Sequence, residues 1–246
     1  MIGMHPLDDL PGVQPGDDLA ALLLEAASKA RVALRDGALV VCQKIVSKAE
    51  GRVVALADVE PSNEAKRIGT LDGKDPRHVE VVLRETSRLV RHAHGVMICE
   101  THHGFVCANA GVDLSNATAI GSAVLLPVDP DASARRLREA LVAGGAGPLA
   151  VVISDTFGRP WREGLVDVAL GCAGMNPIDD LRGDFDLVGR ELEVTATATA
   201  DQLAAAAGLL MDKAAGIPAV WIRGVALAGD GQLSDTLRDP STDLFR

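Results

Sequence analysis

A run of small β-forming residues, Leu149-Ala-Val-Val-Ile153, gives way to Ser154-Asp155-Thr156-Phe-Gly158-Arg159-Pro160-Trp161-Arg162-Glu-Gly164. The apolar run predicts a buried strand that stops at Ser154, followed by a Gly/Pro-bounded loop. Such a junction delivers a carboxylate, a hydroxyl and two guanidinium groups to one place. Hard oxygen donors such as Asp155 and Thr156 suit Mg²⁺ or Mn²⁺, and Arg159 and Arg162 suit phosphate or carboxylate. The plainer alternative is a polar turn with solvated arginines and an Asp that bonds its own backbone.

The core around that strand has to be built without aromatics. Only 2% of the 246 residues are Phe or Trp and Tyr is absent, while 48% are hydrophobic. Ala, Val, Leu and Ile must supply the packing, and an aromatic platform for single-stranded nucleic acid is excluded. A formal charge of −10 argues against nucleic-acid and anionic-membrane partners. Cys42, Cys99, Cys107 and Cys172 show no CxxC or Cys/His spacing and read as reduced, buried residues of a cytoplasmic protein. Neither a signal peptide nor an apolar run long enough to span a bilayer is visible.

Along the chain, Asp17 or Asp18 caps a predicted helix with apolar positions Leu19, Leu22, Leu23, Ala26 and Ala30. A strand, Ala38 to Cys42, runs into Gln43-Lys44-Ile-Val-Ser-Lys48. If that stretch is helical, Lys44 and Lys48 share a face and can grip a polyphosphate, or else are two solvated lysines. A short strand follows around Val53 to Leu56, then a short helix from Pro61-Ser62. A longer helix is expected from Asp75-Pro76 to about Arg91, with Leu89 and Val90 on its inner face. Val96 to Cys99 and Phe105 to Ala108 flank His102-His103-Gly104 as a hairpin, the histidines serving as turn polarity.

The hairpin empties into Asn109-Ala-Gly-Val-Asp113-Leu-Ser115-Asn116, a second carboxylate after an apolar strand. Two such carboxylates converging from different strands make a divalent-metal site that one alone does not, although Asp113 and Asn116 also suit an Asx-turn. A strand Val124 to Val128, a helix capped by Asp129, a strand Glu191 to Ala200, a helix from Gln202 to about Lys213 capped by Asp201, and a strand Ile217 to Ile222 complete the pattern. The glycines of Ala143-Gly-Gly-Ala-Gly147 lack Rossmann or P-loop spacing. Strands and helices alternate without strict βαβ regularity, which predicts an α+β arrangement of mixed sheets with flanking helices.

Several of these segments together resemble one family. Leu10-Pro-x-Val13, Gln43-Lys-Ile-Val-Ser-Lys-Ala-Glu-Gly-Arg52, Ala108-Asn-Ala-Gly-Val-Asp-x-Ser-Asn116, Leu126-Pro-x-Asp-Pro-Asp131 and Ser154-Asp-Thr-Phe-Gly-Arg-Pro-Trp-Arg162 look like the F420-0:γ-glutamyl ligases. The resemblance implies a single ligase module over residues 1–246, of two intimately associated lobes forming an intertwined homodimer. It implies no nitroreductase-like domain after it, as a stand-alone enzyme or an excised module. It also implies GTP-dependent addition of L-glutamate to the phospholactyl carboxylate of coenzyme F420-0 with Mg²⁺ or Mn²⁺, and leaves room for a monovalent cation such as K⁺. Asp113, Asp155 and Lys48 would be catalytic, with Asp113 and Asp155 on one metal and Thr156 on a second. Leu10, Pro11, Gly12, Val13, Gln43, Lys44, Lys48, Asn116, Met211, Asp212 and Lys213 would contact the nucleotide. Lys213 stands where an amide would serve the second metal, and a cation cannot ligate a cation. Arg159 and Arg162 are candidates for the glutamate carboxylates or the substrate phosphodiester. A GTP-holding regulatory module and a carboxylate-activating enzyme with another acceptor are the competing readings.

Overall fold

The computed structural model describes residues 1–115, 121–211 and 216–243. In chain order these form β1 (Gly3–Leu7), α1 (Leu19–Lys29), β2 (Gly37–Cys42), α2 (Gln43–Ala49), β3 (Val53–Ala55), α3 (Asn63–Asp72), α4 (Pro76–Arg84), β4 (Thr86–Ala93), β5 (Val96–Thr101) and β6 (Val106–Ala108). They continue as β7 (Ser122–Val124), α5 (Pro130–Ala143), β8 (Ala150–Arg159), β9 (Arg162–Ala173), β10 (Asp179–Asp180), β11 (Ala196–Thr197), α6 (Thr199–Gly208) and β12 (Ala219–Arg223). No helix among the described residues is long and apolar enough to cross a membrane.

The main sheet has the order β1-β12-β2-β8-β9, with β2 and β8 parallel and the other neighbours antiparallel. Both faces are covered, so its central strands are apolar on both sides. Leu39, Val41, Val151 and Ile153 pack with α1, α2 and α5, while Val40, Val152, Val220 and Ile222 pack with Leu203, Ala204 and Ala207 of α6. The alternation along β2 and β8 is that of a pleated strand. With aromatics so scarce, Trp221, 1% exposed, is the largest fully buried side chain among the described residues.

A separate core gathers residues 56–125. Ile68 of α3 and Val79 and Val82 of α4 pack on Met97 and Cys99 of β5, beside Ala110 and Val112. Small sheets β3-β7 and β4-β5-β6 frame it. The expected α+β class, with mixed sheets and flanking helices, is what the chain adopts.

Several element boundaries differ from the sequence expectation, each for a tertiary reason. The helix from Pro76 ends at Arg84, where the Thr86 hydroxyl donates to Val82 O at 2.6 Å. Thr86 onward pairs antiparallel with β5, and Leu89 and Val90 are 41% and 42% exposed rather than inward. Their helical spacing is real, but pairing with β5 overrides it. The strand from Leu149 does not stop at Ser154. A bulge between Ile153 and Ser154 re-aims it, and it runs to Arg159 against β9, turning at Pro160-Trp161 with Trp161 at φ 56. The strand expected at 124–128 lies instead at Ser122–Val124 and shares only Val124 with it; Pro127 has no N–H to donate to a ladder. Residues 191–200 hold only the two-residue strand β11. Asp201 is not the cap of α6, which begins at Thr199; its carboxylate instead accepts Ala169 N–H at 2.9 Å. The caps at Asp18 and Asp129 form as expected.

One buried carboxylate ties the C-terminal segment to the sheet. Asp131, 6% exposed in the first turn of α5, accepts N–H bonds from Cys172 (2.9 Å), Leu233 (2.9 Å) and Ser234 (3.2 Å). Asp131→Ala would orphan three donors in a dry site. Denaturant unfolding of that variant is expected to show a loss of about 3 kcal/mol; a loss under about 1 kcal/mol would mean that water reaches these amides.

Candidate active-site cleft

The two parallel strands β2 and β8 deliver their C-terminal ends to the same edge of the sheet, with Cys42 opposite Ser154. Open α/β sheets hold ligands at such ends. An open cleft of about 280 Å³ lies there. Its entry wall is Leu10-Pro-Gly-Val13, its floor Lys44, Ile45 and Lys48 of α2, and its far wall Ser154, Asp155, Thr156 and Asp167. Met211 and Gly216-Ile217-Pro218 close the remaining side.

Two lysines and two carboxylates therefore line one cleft. Lys44 and Lys48 sit one turn apart on α2, as the sequence spacing requires. Burial, and next Lys44, hold the Lys48 ammonium below the usual lysine range. Beneath them Gln43 is fully buried, its Oε1 accepting the Ser47 hydroxyl at 2.8 Å while Nε2 has no partner among the described residues. Cys42 also reaches the cleft. Burial pushes its thiol up to about 11, so it stays protonated and is a poor nucleophile at neutral pH.

Asp113 arrives by a different route. After β6 the backbone takes three left-handed residues in succession, Asn109, Ala110 and Gly111 at φ 51, 52 and 71. A side chain at Gly111 would meet Leu126 at 2.8 Å, so close packing as well as φ requires glycine there. Backbone bonds of Asp113 with Val124, at 3.0 and 2.8 Å, then fix the loop. The carboxylate ends 2.5 Å from Lys44 Nζ and accepts Ser115 N–H at 2.7 Å, and Lys44 also donates to Ser115 Oγ at 2.9 Å. Burial pushes the Asp113 carboxyl up, but the Lys44 and Ser115 hydrogen bonds outweigh it and leave it below the usual carboxylate range.

Of the residues singled out in the sequence, Leu10 to Val13, Lys44, Lys48, Asp155, Thr156 and Met211 line one cleft, and Gln43 and Asp113 lie directly behind Lys44. Asn116, Asp212 and Lys213 lie outside the described residues. Among the described residues no three His, Cys, Asp or Glu side chains converge to hold a metal. The donors present, the Asp155 carboxylate and the Thr156 hydroxyl, are hard oxygens and fit Mg²⁺ or Mn²⁺ completed by phosphate and water. Arg159 and Arg162 stand at the hairpin tip, where Arg159 donates to the carbonyls of Glu163 and Gly164. Arg223 bonds His5 at the far edge of the sheet. His102 and His103 bond backbone carbonyls of Arg84 and Pro127 at 2.9 and 2.8 Å, as turn polarity should.

Asp167 is the cleft residue that sequence reasoning missed. It faces Thr156 across the β8–β9 ladder. The signal was present: Val166, Val168 and Leu170 alternate with Asp167 at period two, as a strand would.

Fold and cleft define a class of α+β proteins with mixed sheets that gather lysines and hard-oxygen donors at the C-terminal ends of two parallel strands. Comparison with known proteins narrows that class. Residues 9–224 match the family model described as F420-0:Gamma-glutamyl ligase, and the chain belongs to this family. It is 47% identical to the coenzyme F420:L-glutamate ligase of Methanothermobacter thermautotrophicus, over 100% of this chain and 99% of that one. It is 46% identical to the protein of the same name from Methanopyrus kandleri, over 95% and 93%, and 40% identical to that of Archaeoglobus fulgidus, over 100% and 96%.

The Lys44–Asp113 pair makes a spectroscopic prediction. In nucleotide-free, metal-free Lys44→Met, the Asp113 carboxyl is expected to titrate at higher pH than in the parent protein. Carboxyl-detected NMR would read this, and an unmoved titration would show that Ser115 alone holds the anion.

Proposed function

We propose that the chain is a GTP-dependent ligase that joins L-glutamate to the phospholactyl carboxylate of coenzyme F420-0, with further γ-linked additions. Family membership supports the ligase class, and the printed names of the relatives support the substrates. The observation that carries the reading is the cleft itself. Segments separated by more than a hundred residues along the chain meet there and bring lysines and hard-oxygen donors to one cleft.

A carboxylate does not condense with an amine in water until its oxygen becomes a leaving group. In the proposed sequence a carboxylate oxygen of F420-0 attacks the γ-phosphorus of GTP, the bond to the β-phosphate oxygen breaks, and GDP leaves. The glutamate nitrogen then attacks the acyl phosphate, the C–O bond breaks with its electron pair going to inorganic phosphate, and the nitrogen gives up its protons. Positioning and charge stabilisation supply most of the acceleration in such transfers.

This chain's own groups do four things in that scheme. Leu10 to Val13 and Met211 offer apolar walls to the nucleoside. Lys48, whose ammonium burial and Lys44 disfavour, gains a counter-charge beside phosphate. Lys44 turns from Asp113 to the phosphates, which releases the Asp113 carboxylate. Asp155 and Thr156, joined by the released Asp113, would hold Mg²⁺ or Mn²⁺, which when bound neutralises charge on the phosphate oxygens. In the same reading the chain works in the cytoplasm as a two-lobed, intertwined homodimer. Exposed Leu89, Val90, Val96 and Val106 on the β4-β5-β6 sheet support a buried partner surface.

The test is mass spectrometry of the deazaflavin precursor after incubation with the protein, GTP, L-glutamate and Mn²⁺. Mass gains in whole glutamyl units that vanish without GTP are expected. GTP binding without any gain would instead mark a non-catalytic nucleotide-binding module, and gain on a different acid would mark another acceptor. Asp155→Asn and Asp113→Asn are each expected to lower turnover by about 10²-fold or more with the thermal midpoint held. Near-parental turnover in either would remove that carboxylate from the machinery.

A further inference from the structure

The β8–β9 ribbon carries two residues that its own stability does not ask for. Arg159 and Arg162 pair across a two-residue turn, Pro160-Trp161, and Trp161 sits there at φ 56. A left-handed turn position favours Gly or Asn, and a bulky side chain there is strained. Burial does not offset that strain, since Trp161 is 83% exposed. Gly158 is the second. Its φ lies outside the left-handed region, and a side chain added there would meet nothing within 4 Å. Neither backbone nor packing therefore calls for glycine, which weakens a strand interior and often marks a place where a ligand approaches the backbone closely.

Both residues lie on the outer half of a ribbon whose inner half lines the cleft. Thr156 opposes Asp167 and Gly158 opposes Leu165 in unbroken register, so these four share one face. Thr156 and Asp167 line the cleft, and Leu165 is 67% exposed. The cleft therefore continues outward as a low, apolar track over Gly158 and beside Leu165, ended by the turn that carries Trp161. At about 3.4 Å per residue, Arg159 stands roughly 10 Å beyond Thr156. A low track with an aromatic end suits a planar aromatic ligand, because an indole presents a π-face on which such a ring stacks. F420-0 has that shape. Its reacting carboxylate and its tricyclic deazaflavin lie at opposite ends of the molecule, with the phosphodiester between them. With the carboxylate in the cleft the ring must lie outside it, and the ribbon runs outward from Thr156. Arg162, exposed at the same turn, offers a guanidinium to the phosphodiester.

We propose that Gly158, Leu165 and Trp161 form the subsite for the deazaflavin ring, with the indole of Trp161 stacked on it. This rests on the ligase reading and names the part of the substrate that the ribbon recognises.

Calorimetry separates ring from tail. Three probes would be titrated into the full chain: F420-0, the deazaflavin without its phospholactyl tail, and phospholactate alone. Trp161→Gly is expected to weaken F420-0 and the tail-less deazaflavin by about 10-fold or more, with phospholactate and GTP affinities unchanged. The same change is expected to hold or raise the thermal midpoint, because glycine relieves the left-handed position. Gly158→Val suits a strand and meets open space, and is expected to weaken the same two ligands with the midpoint held. Trp161→Phe, still aromatic, is expected to keep most of the affinity. The inference is overturned if the tail-less deazaflavin does not bind the parent, if Trp161→Gly or Gly158→Val binds it as the parent does, if Trp161→Phe falls as far as Trp161→Gly, or if phospholactate weakens equally. It is also overturned if Trp161→Gly lowers the midpoint or changes the sedimentation coefficient, which would make Trp161 a packing residue or a contact between copies of the chain. The glutamyl-transfer assay reads the underlying function separately. Loss of deazaflavin affinity in Trp161→Gly, when the parent adds no glutamate, would keep the subsite and remove the ligase. Transfer by Trp161→Gly with an unchanged KM for F420-0 would keep the ligase and remove the subsite.

Discussion

The parallel pairing of β2 with β8 is the contact on which the rest depends. Its register sets Cys42 beside Ser154, so the helix that begins at Gln43 and the acidic stretch that begins at Asp155 leave the sheet at one edge. Antiparallel pairing of the same strands would send their C-terminal ends to opposite edges, with the lysines at one and the carboxylates at the other. That contact is secured from both faces, by Val41 and Ile153 under α1 and α5 and by Val40 and Val152 under α6. Burial on both faces fixes register strongly, because a slip by one residue would exchange the two cores.

The second constraint is how the separate core of residues 56–125 is held to the sheet. Arg52, just after α2, donates to Leu126 O at 2.9 Å and to Glu85 at 2.8 Å, and so bridges β3 to the end of α4. Lys44 and Asp113 make the other tie, and this one crosses into the cleft. A link made of a lysine and a carboxylate can be exchanged when a polyanion and a cation enter together. In the proposed scheme the charge pair that joins the two regions at rest is the pair that separates to take up nucleotide and metal, which couples ligand binding to the placement of residues 109–115.

Much of the cleft was legible because its residues come in short, local patterns. Lys44 and Lys48 share a face whenever residues 43–49 are helical, and the strand before them has no other short exit. The Asp18 and Asp129 caps and the β5–β6 hairpin are equally local. What could not be read depended on partners distant in sequence. The extension of β8 beyond Ser154 exists because β9 lies beside it, and nothing within residues 154–159 says so. Thr86 to Ala93 carries a helical spacing of Leu and Val that only β5 overrules. The alternation of Asp167 with Val166 and Val168 marks a strand, but only the pairing with β8 brings it opposite Thr156 and into the cleft.

The global charge of −10 sharpens the division of labour inside the cleft. An acidic protein repels GTP and acidic substrates at long range, within roughly 8 Å at physiological ionic strength. Attraction must therefore come from a few nearby cations, and Lys44 and Lys48 provide them with little competition from solvent. Lys44 is nearly buried and spends its charge on Asp113 at rest. Lys48 is drawn below the usual lysine range by burial and by Lys44. In the proposed scheme both gain when an anion arrives: the Lys48 ammonium acquires a counter-charge that offsets its burial and its repulsion by Lys44, and Lys44 trades one anion for another that carries more charge. In the proposed scheme the excess acid of the surface then works in favour of release, since product phosphate freed from the lysines would leave through a field that pushes it outward.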